Sequence, residues 1–322
     1  MTTGSMHITG ESEAIKNSDT SGRAPLAFRF LRLVRSYTSR TPIKKGRGRI
    51  FRAALSLVND RPTDEIIQLP DGRRFFIDLT TGMQETVYFL GEYETAISTI
   101  LEKLIGPGDI CIDAGANFGW YTTLMSMAAG ENGSVHAFEP VPSSFEILKR
   151  NKEFAQLSNN IFITNAALGD REDSVTINLF DGQPTGHASL SDKGEPTSES
   201  YECQMITLDS YLAENQIKNV ALVKVDIEGA ELMFLKGAES LFQQLVPPIF
   251  IMEMALKQTT GFNYLPNDIL TFLNERGAYD FYRVDELDGL LDKFEVFASV
   301  QLLSGLFGRR MTLERSLKGK RS

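Results

Sequence analysis

The sequence has little of what marks several common protein classes. Its two cysteines, Cys111 and Cys203, cannot make a disulfide framework, and no Cys/His cluster has zinc spacing. Three histidines, His7, His136 and His187, are too few for a histidine-based metal site. No apolar run approaches the roughly 18–20 residues that a membrane span needs. The amino terminus lacks the basic start, apolar stretch and small-residue cleavage site of a secretory leader, so a reducing, cytoplasmic setting is expected. There is no Gly-Lys-Ser/Thr, which excludes a P-loop, and no G-x-G-x-x-G, which removes a nicotinamide dehydrogenase. What is there is ordinary for a packed globular chain: 322 residues, 42% apolar and 23% charged, enough for one large domain or two modest ones.

Charge is unevenly placed. The formal net charge is −9, yet residues 1–62 hold 12 Lys/Arg against 4 Asp/Glu, which leaves −17 on the remainder. An acidic body without a basic, aromatic-laced stripe repels phosphodiester backbones, so no nucleic-acid partner is expected. The basic residues run through Leu26–Tyr37 and on to Arg52, in two pieces that can be drawn as amphipathic helices. They predict either a docking surface for an anionic membrane or glycan, or a solvated face of helices laid against the acidic body. Residues 1–24, rich in Ser, Thr, Gly and charge, read as disordered. Residues 25–62 read as a basic helical extension, 63–305 as the main domain, and 306–322 as a basic tail.

Past Pro62 the pattern becomes regular. Ile66–Leu69 and Arg74–Leu79 flank Pro70-Asp71-Gly72 and predict a hairpin. Tyr88–Ile105 has helical spacing and stops at Gly106-Pro107-Gly108. Strands are then expected at Ile110–Ala114, Val135–Phe138, Ile161–Leu168, Val220–Val225 and Ile249–Met252. Helices are expected at Trp120–Ala129, Ser143–Ala155, Ala230–Leu245 and Asn267–Arg276. Val175–Phe180 and Cys203–Thr207 read as strands around a Gly/Pro/Ser-rich loop, Asp181–Ser200. Tyr279–Val284 and Phe294–Val300 read as a closing antiparallel pair. Strand–helix alternation implies a parallel sheet with helices on both faces, in which ligands bind at the carboxyl ends of the strands.

Acidic or small residues stand at those ends. The first strand leads into Asp113-Ala114-Gly115-Ala116-Asn117-Phe118-Gly119, where glycine lets backbone approach a ligand and a helix N-terminus follows. Glu139 follows the second strand, a place from which a carboxylate can accept both hydroxyls of a ribose. Asn165–Asp170 (NAALGD) is a small-residue patch able to lie against a flat base. Lys224–Glu231 (KVDIEGAE) brings Asp226, Glu228 and Glu231 after the fourth strand, and Glu253 follows the fifth. Plainer readings stand beside these: a carboxylate capping a helix for Glu228 and Glu231, a solvated loop imidazole for His187, and core packing for at least one of Trp120 and Tyr121.

Together Asp109–Tyr121, Ala137–Pro142, Asn165–Asp170 and Val223–Gly237 resemble the FkbM family of S-adenosylmethionine-dependent methyltransferases. The resemblance covers about residues 85–255, with four motifs in the right order. It implies the class I methyltransferase (Rossmann-like) fold, a seven-stranded, mostly parallel α/β sheet with helices on both faces and its last strand antiparallel, here preceded by the helical and hairpin extension. It implies S-adenosyl-L-methionine as cofactor and O-methylation of a sugar or polyketide, often in glycan biosynthesis. Carried over position by position, Asp113, Gly115, Ala116, Asn117 and Gly119 would border the methionine part. Glu139 would bind the ribose, and Ala167, Leu168 and Asp170 would meet the adenine. Asp226, Glu228 and Glu231 match the family's D-x-E-G-x-E signature. Tyr93-Glu94 resembles a Tyr-Glu pair often found ahead of the first strand.

A sugar hydroxyl needs a base, or a metal that acidifies it. Asp226 or Glu228 is the expected base. Alternatively Asp226, Glu228 and Glu253 would hold a divalent ion such as Mg²⁺, which takes oxygen ligands. A different class of function is a non-catalytic cofactor-binding scaffold recruited through the basic N-terminal helices.

Overall fold

The computed structural model describes residues 25–180, 197–254, 256–277, 279–284, 291–294 and 303–308. The stretch 1–24, His187 and residues 309–322 lie outside them. Two helices come first, α1 (Leu26–Thr38) and α2 (Arg47–Ser56), then the hairpin β1 (Glu65–Gln68) and β2 (Arg74–Ile77). Helices α3 (Gly82–Leu90) and α4 (Thr95–Leu104) lead into β3 (Ile110–Ala114), α5 (Trp120–Ala129), β4 (Ser134–Phe138), α6 (Pro142–Phe154) and β5 (Ile161–Thr164). A side sheet follows from β6 (Ala167–Leu168), β7 (Asp173–Phe180) and β8 (Thr197–Ile206). The chain continues through α7 (Leu208–Glu214), β9 (Val220–Val225), α8 (Glu231–Lys236), β10 (Ile249–Met254), α9 (Leu256–Thr259) and α10 (Pro266–Arg276). It then adds β11 (Phe281–Val284), β12 (Leu291–Phe294) and β13 (Leu303–Gly308).

The main sheet runs β12-β11-β13-β10-β9-β3-β4-β5. The five strands from β10 to β5 are mutually parallel, and β13 is antiparallel to both its neighbours. The expected reversed last strand is therefore present, but among the described residues the sheet has eight strands, not seven, because β12 adds an antiparallel edge to β11. The expected partner strand Phe294–Val300 is not where the pairing forms: Leu291–Phe294 pairs with β11, and residues 295–302 are not described.

Alternation along the strands divides the core. Cys111, Leu222, Ile249 and Ile251 face one layer, packed with Trp120, Phe75 and Phe89. Ile112, Val223, Phe250 and Met252 face the other, packed with Phe234, Leu235 and Leu270. This is the period of two expected of strands buried on both sides.

Three elements depart from the sequence pattern for local reasons. The single helix expected over Tyr88–Ile105 is two helices: Gly91 (φ +69°) ends α3 in the left-handed region, and Glu94 (φ +39°) opens α4. The helix expected over Ala230–Leu245 stops at Gly237, whose Cα packs so closely on a neighbouring loop that a Cβ would lie 1.9 Å from the Gly169 carbonyl oxygen. The strand expected over Ile161–Leu168 breaks at Asn165, so β5 stays in the main sheet while β6 pairs with β8.

The N-terminal elements are fastened to the sheet layer. Asn151 on α6 is fully buried and accepts from the Phe76 N–H (2.6 Å) while donating to the Phe118 carbonyl (2.7 Å). Arg73 at the hairpin turn donates to the Trp120 carbonyl (3.0 Å) and lies 4.3 Å from that indole's ring centre. On α1, Thr38 donates to the Phe89 carbonyl (2.6 Å), and Phe51 of α2 stacks on Phe89 at 5.1 Å. The hairpin thereby braces the loop between β3 and α5, and the first two helices pack on α3. No described helix is long and apolar enough to cross a membrane.

Candidate active site

Four strand ends, those of β3, β4, β5 and β9, are knitted into one floor. The Gly115 and Ala116 N–H groups both donate to the Phe138 carbonyl (3.0 and 2.9 Å), the Asp226 N–H to the Ala114 carbonyl (3.0 Å), and the Glu139 N–H to the Thr164 carbonyl (3.1 Å). A cleft opens above it, lined by Gly115–Phe118, Glu139, Ala167, Leu168, Asp226 and Glu228, with Tyr93, Trp120, Tyr121 and Lys224 on its walls. Gly119 sits just behind this lining as the left-handed residue (φ +90°) before α5.

Glu139 is buried and held from two sides. Its Oε2 accepts from the Asn117 N–H (2.8 Å), and its Oε1 from the Val141 N–H (2.9 Å). Burial pushes its carboxyl up to about 7, against the pull of those two backbone donors. Each carboxylate oxygen can accept a further bond. Asp113 is completely buried, and its Oδ2 accepts from the Thr122 hydroxyl (2.6 Å). Its Oδ1 has no hydrogen-bond partner among the described residues, and burial raises its pKa. Asp113 therefore lies beneath the cleft and is not among the residues that line it.

Asp226 faces a buried lysine. The Lys224 ammonium donates to Asp226 Oδ2 (3.0 Å) and lies 4.7 Å from the Tyr121 ring centre. Burial works against the lysine's charge, but Asp226 and Asp113 outweigh it, so its pKa is raised. Glu253, near the end of β10, neighbours Asp226. Asp226's charge first, then burial, pushes the Glu253 carboxyl up to about 9. Tyr121 donates its hydroxyl to Glu94, and burial beside Glu94 raises the pKa of both Tyr121 and Tyr93.

The remaining expected site residues are placed differently. Glu228 adopts φ +55° ahead of Gly229 (φ +108°) and accepts from the Gln258 side chain. Glu231 is buried beneath the cleft rather than lining it. It accepts from the Gly229 N–H (3.0 Å), lies 2.9 Å from the Tyr264 hydroxyl, and is pushed by burial up to about 7. Glu231 therefore pins the turn that aims Glu228. Asp170 does not line the cleft and pairs with Arg171 (3.0 Å). Among the described residues no group of three or more His, Cys, Asp and Glu side chains is placed to hold a metal ion. Of the expected set, Asp226 and Glu228 both act on the charge of Glu253, and Glu228 also accepts from Gln258.

Lys224 is the site residue that motif reading passed over. Its signal was visible, since a lone cation inside the apolar strand Val220–Val225 has to find a carboxylate. Asn165 also went unassigned; it donates to the Glu139 carbonyl (2.8 Å) and ties the two strand ends together.

A profile of the Methyltransferase FkbM domain matches residues 113–279, more than half of the chain. Methyltransferase 1 of Beauveria bassiana is 27% identical over 157 residues, covering 44% of this chain and 62% of that protein. The 31-O-demethyl-FK506 methyltransferase FkbM of Streptomyces tacrolimicus is 27% identical over 158 residues, covering 41% and 60%. The hexuronic acid methyltransferase AglP of Haloferax volcanii is 26% identical over 137 residues, covering 42% and 53%. The chain thus spans about three-fifths of the first two relatives' length. The matched segment begins at the buried Asp113 and takes in the whole cleft floor, so the chain belongs to the FkbM methyltransferase family.

Proposed function

We propose that the chain is an S-adenosyl-L-methionine-dependent O-methyltransferase acting on a sugar hydroxyl of a glycan, glycolipid or natural product. The observation that carries this is Glu139: a buried carboxylate at the end of β4, clamped by two backbone N–H groups with acceptor capacity left over. Such a group suits a ribose diol. The cofactor, when bound, supplies a sulfonium methyl open to in-line displacement. Ala167 and Leu168 offer a small apolar wall for the adenine, and the Gly115–Asn117 backbone borders the methionine part. Two relatives support the chemistry by name, one as a 31-O-demethyl-FK506 methyltransferase and one as a hexuronic acid methyltransferase.

Asp226 is the base. It takes the acceptor's hydroxyl proton as the new O–CH₃ bond forms and the methyl leaves sulfur, and the Lys224 ammonium at 3.0 Å favours its carboxylate form beforehand. Because Asp226, Glu228 and Glu253 do not form a ligand set, turnover is expected to persist in excess EDTA; loss of turnover there, restored by Mg²⁺, would point to a metal instead.

Glu139→Gln tests the cofactor assignment. Hydrogen bonds to a charged acceptor contribute about 1.5–3 kcal/mol, so affinity for S-adenosylhomocysteine should fall roughly ten- to a hundredfold by calorimetry. With its carboxyl at about 7, Glu139 gains charge as pH rises through neutrality, so wild-type affinity should climb across that range and the variant's should stay flat. Equal affinities for the two proteins would remove the ribose role. Release of S-adenosylhomocysteine in a screen of sugar acceptors with labelled cofactor tests the acceptor class.

A further inference from the structure

Helix α1 carries two apolar stripes, and only one is used by the fold. Ala27, Leu31, Val34 and Thr38 face inward; Leu31 and Thr38 are fully buried, and Ala27 and Val34 pack on the core. Each of the other four is one residue earlier: Leu26 (81% exposed), Phe30 (39%), Leu33 (71%) and Tyr37 (54%). Their spacing of four, three and four places them along one side of the helix. Ile43, Ile50 and Leu57, on α2 and its approach, are also exposed, Leu57 at 76%. An apolar run of this kind on a helix that is already packed is not needed for folding, and solvent exposure of it is unfavourable.

The charge around it has one sign. Residues 20–59 contain ten Lys/Arg and no Asp or Glu. Some of these cations serve the fold, as Arg32 does with Glu65 (2.7 Å) and the buried Arg47 with Glu92. Arg29, Arg40, Lys45, Arg49 and Arg52 are exposed and make no ion pair among the described residues. Behind them lies a body of net charge −17, which an anionic surface repels. Attraction at one end and repulsion over the rest give the molecule a single orientation on such a surface. Large apolar side chains flanked by unpaired arginines and lysines, with no acid among them, are complementary to a bilayer with anionic headgroups, where the apolar groups enter the acyl boundary and the cations stay at the phosphates.

We propose that α1 and α2 form a docking face for an anionic phospholipid bilayer, with Leu26, Phe30, Leu33 and Tyr37 as the inserting stripe. The inward side of α1 packs on α3, a helix whose first turn carries Met83 of the cleft wall.

Co-sedimentation of the full chain with phosphatidylcholine vesicles, with and without phosphatidylglycerol, is the test. Binding to the anionic vesicles and not to the neutral ones is expected, weakening as salt is raised. Phe30→Ser with Leu33→Ser, and separately Arg29→Glu with Arg49→Glu, should each lower the partition about tenfold or more. All four side chains are exposed, so circular dichroism and affinity for S-adenosylhomocysteine should match wild type. Equal binding to both vesicle types, binding to neither, or full binding by the Phe30/Leu33 variant overturns the proposal. So does a concentration-dependent dimer that the Phe30/Leu33 variant abolishes without any vesicle binding, since the stripe would then be covered by a second copy.

Discussion

Asp226→Asn lowers methyl transfer about 10²–10⁴-fold, the range for loss of a positioned general base, with little change in affinity for the cofactor. Glu253→Gln, one side chain away, does not. The difference follows from how the two carboxyls share their surroundings. Asp226 holds the buried Lys224 at 3.0 Å and is the largest cause of the upward shift of Glu253 to about 9. The charge of Asp226 favours the protonated form of Glu253. Glutamine stands in for a neutral carboxyl without titrating, so the variant is expected to keep its activity near neutrality and to depart from wild type only toward alkaline pH.

Stability moves the other way. A glutamate in the unfolded chain titrates at about 4.3, whereas folded Glu253 holds its proton to about 9. The unfolded state gives up that proton first, so folding stability is greatest on the acid side, falls as pH rises above the unfolded value, and stops falling once the folded value is passed. Glu253→Gln removes this loss. The variant should melt a few degrees above wild type at mildly alkaline pH, since ~1 kcal/mol corresponds to about 2–4 °C for a domain this large. Below about pH 4 the two should coincide. An unchanged melting temperature at alkaline pH, or a Glu253→Gln enzyme as inactive as Asp226→Asn, would show that the two carboxyls do not act as a pair.

Much of this site was legible in the sequence because a parallel sheet makes its strand ends predictable. The runs Ile110–Ala114 and Val220–Val225 stand in the structure with the bounds that their apolar character and flanking turns imply, and so does the helix Trp120–Ala129. Asp113, Glu139 and Asp226 follow from those runs as the residues delivered to the sheet's carboxyl edge. What pattern reading missed depended on contacts between distant segments. Gly237 ends α8 because of the Gly169 carbonyl, not because of its neighbours in sequence. Asn165 diverts the chain from the main sheet to β8, a partner some forty residues later. Asp170 belongs to a family motif, yet its partner is the adjacent Arg171, and it does not line the cleft. Glu231 read equally well as a helix-end charge, and only Tyr264, more than thirty residues on, shows it to be a buried pin beneath Glu228. The metal reading rested on spacing alone: among the described residues no group of three or more such side chains is placed to hold an ion.

Gly115→Ala is expected to be the most damaging single-methyl change in the protein. Gly115 sits at φ +81°, where an L-residue loses about 1–2 kcal/mol, but conformation is the smaller part of the effect. A Cβ there would lie 1.8 Å from the Asp226 carbonyl oxygen and 2.9 Å from its carbon, and this neighbour is backbone that cannot swing aside. The loop after β3 and the loop after β9 must separate to admit the methyl. That separation would break the Asp226 N–H to Ala114 carbonyl bond and tilt the Asn117 N–H away from Glu139. Overpacking adds about 1–3 kcal/mol more, so a total loss of roughly 3 kcal/mol in denaturant unfolding is expected, with cofactor affinity down a hundredfold or more. Gly108→Ala isolates the backbone contribution. Gly108 has a similar φ of +92° but nothing within 4 Å of its would-be Cβ. It should lose only the conformational share, about 1 kcal/mol, and bind S-adenosylhomocysteine like wild type. If both alanine variants lose stability equally and both keep cofactor affinity, the close approach of the two loops is not what shapes the cleft.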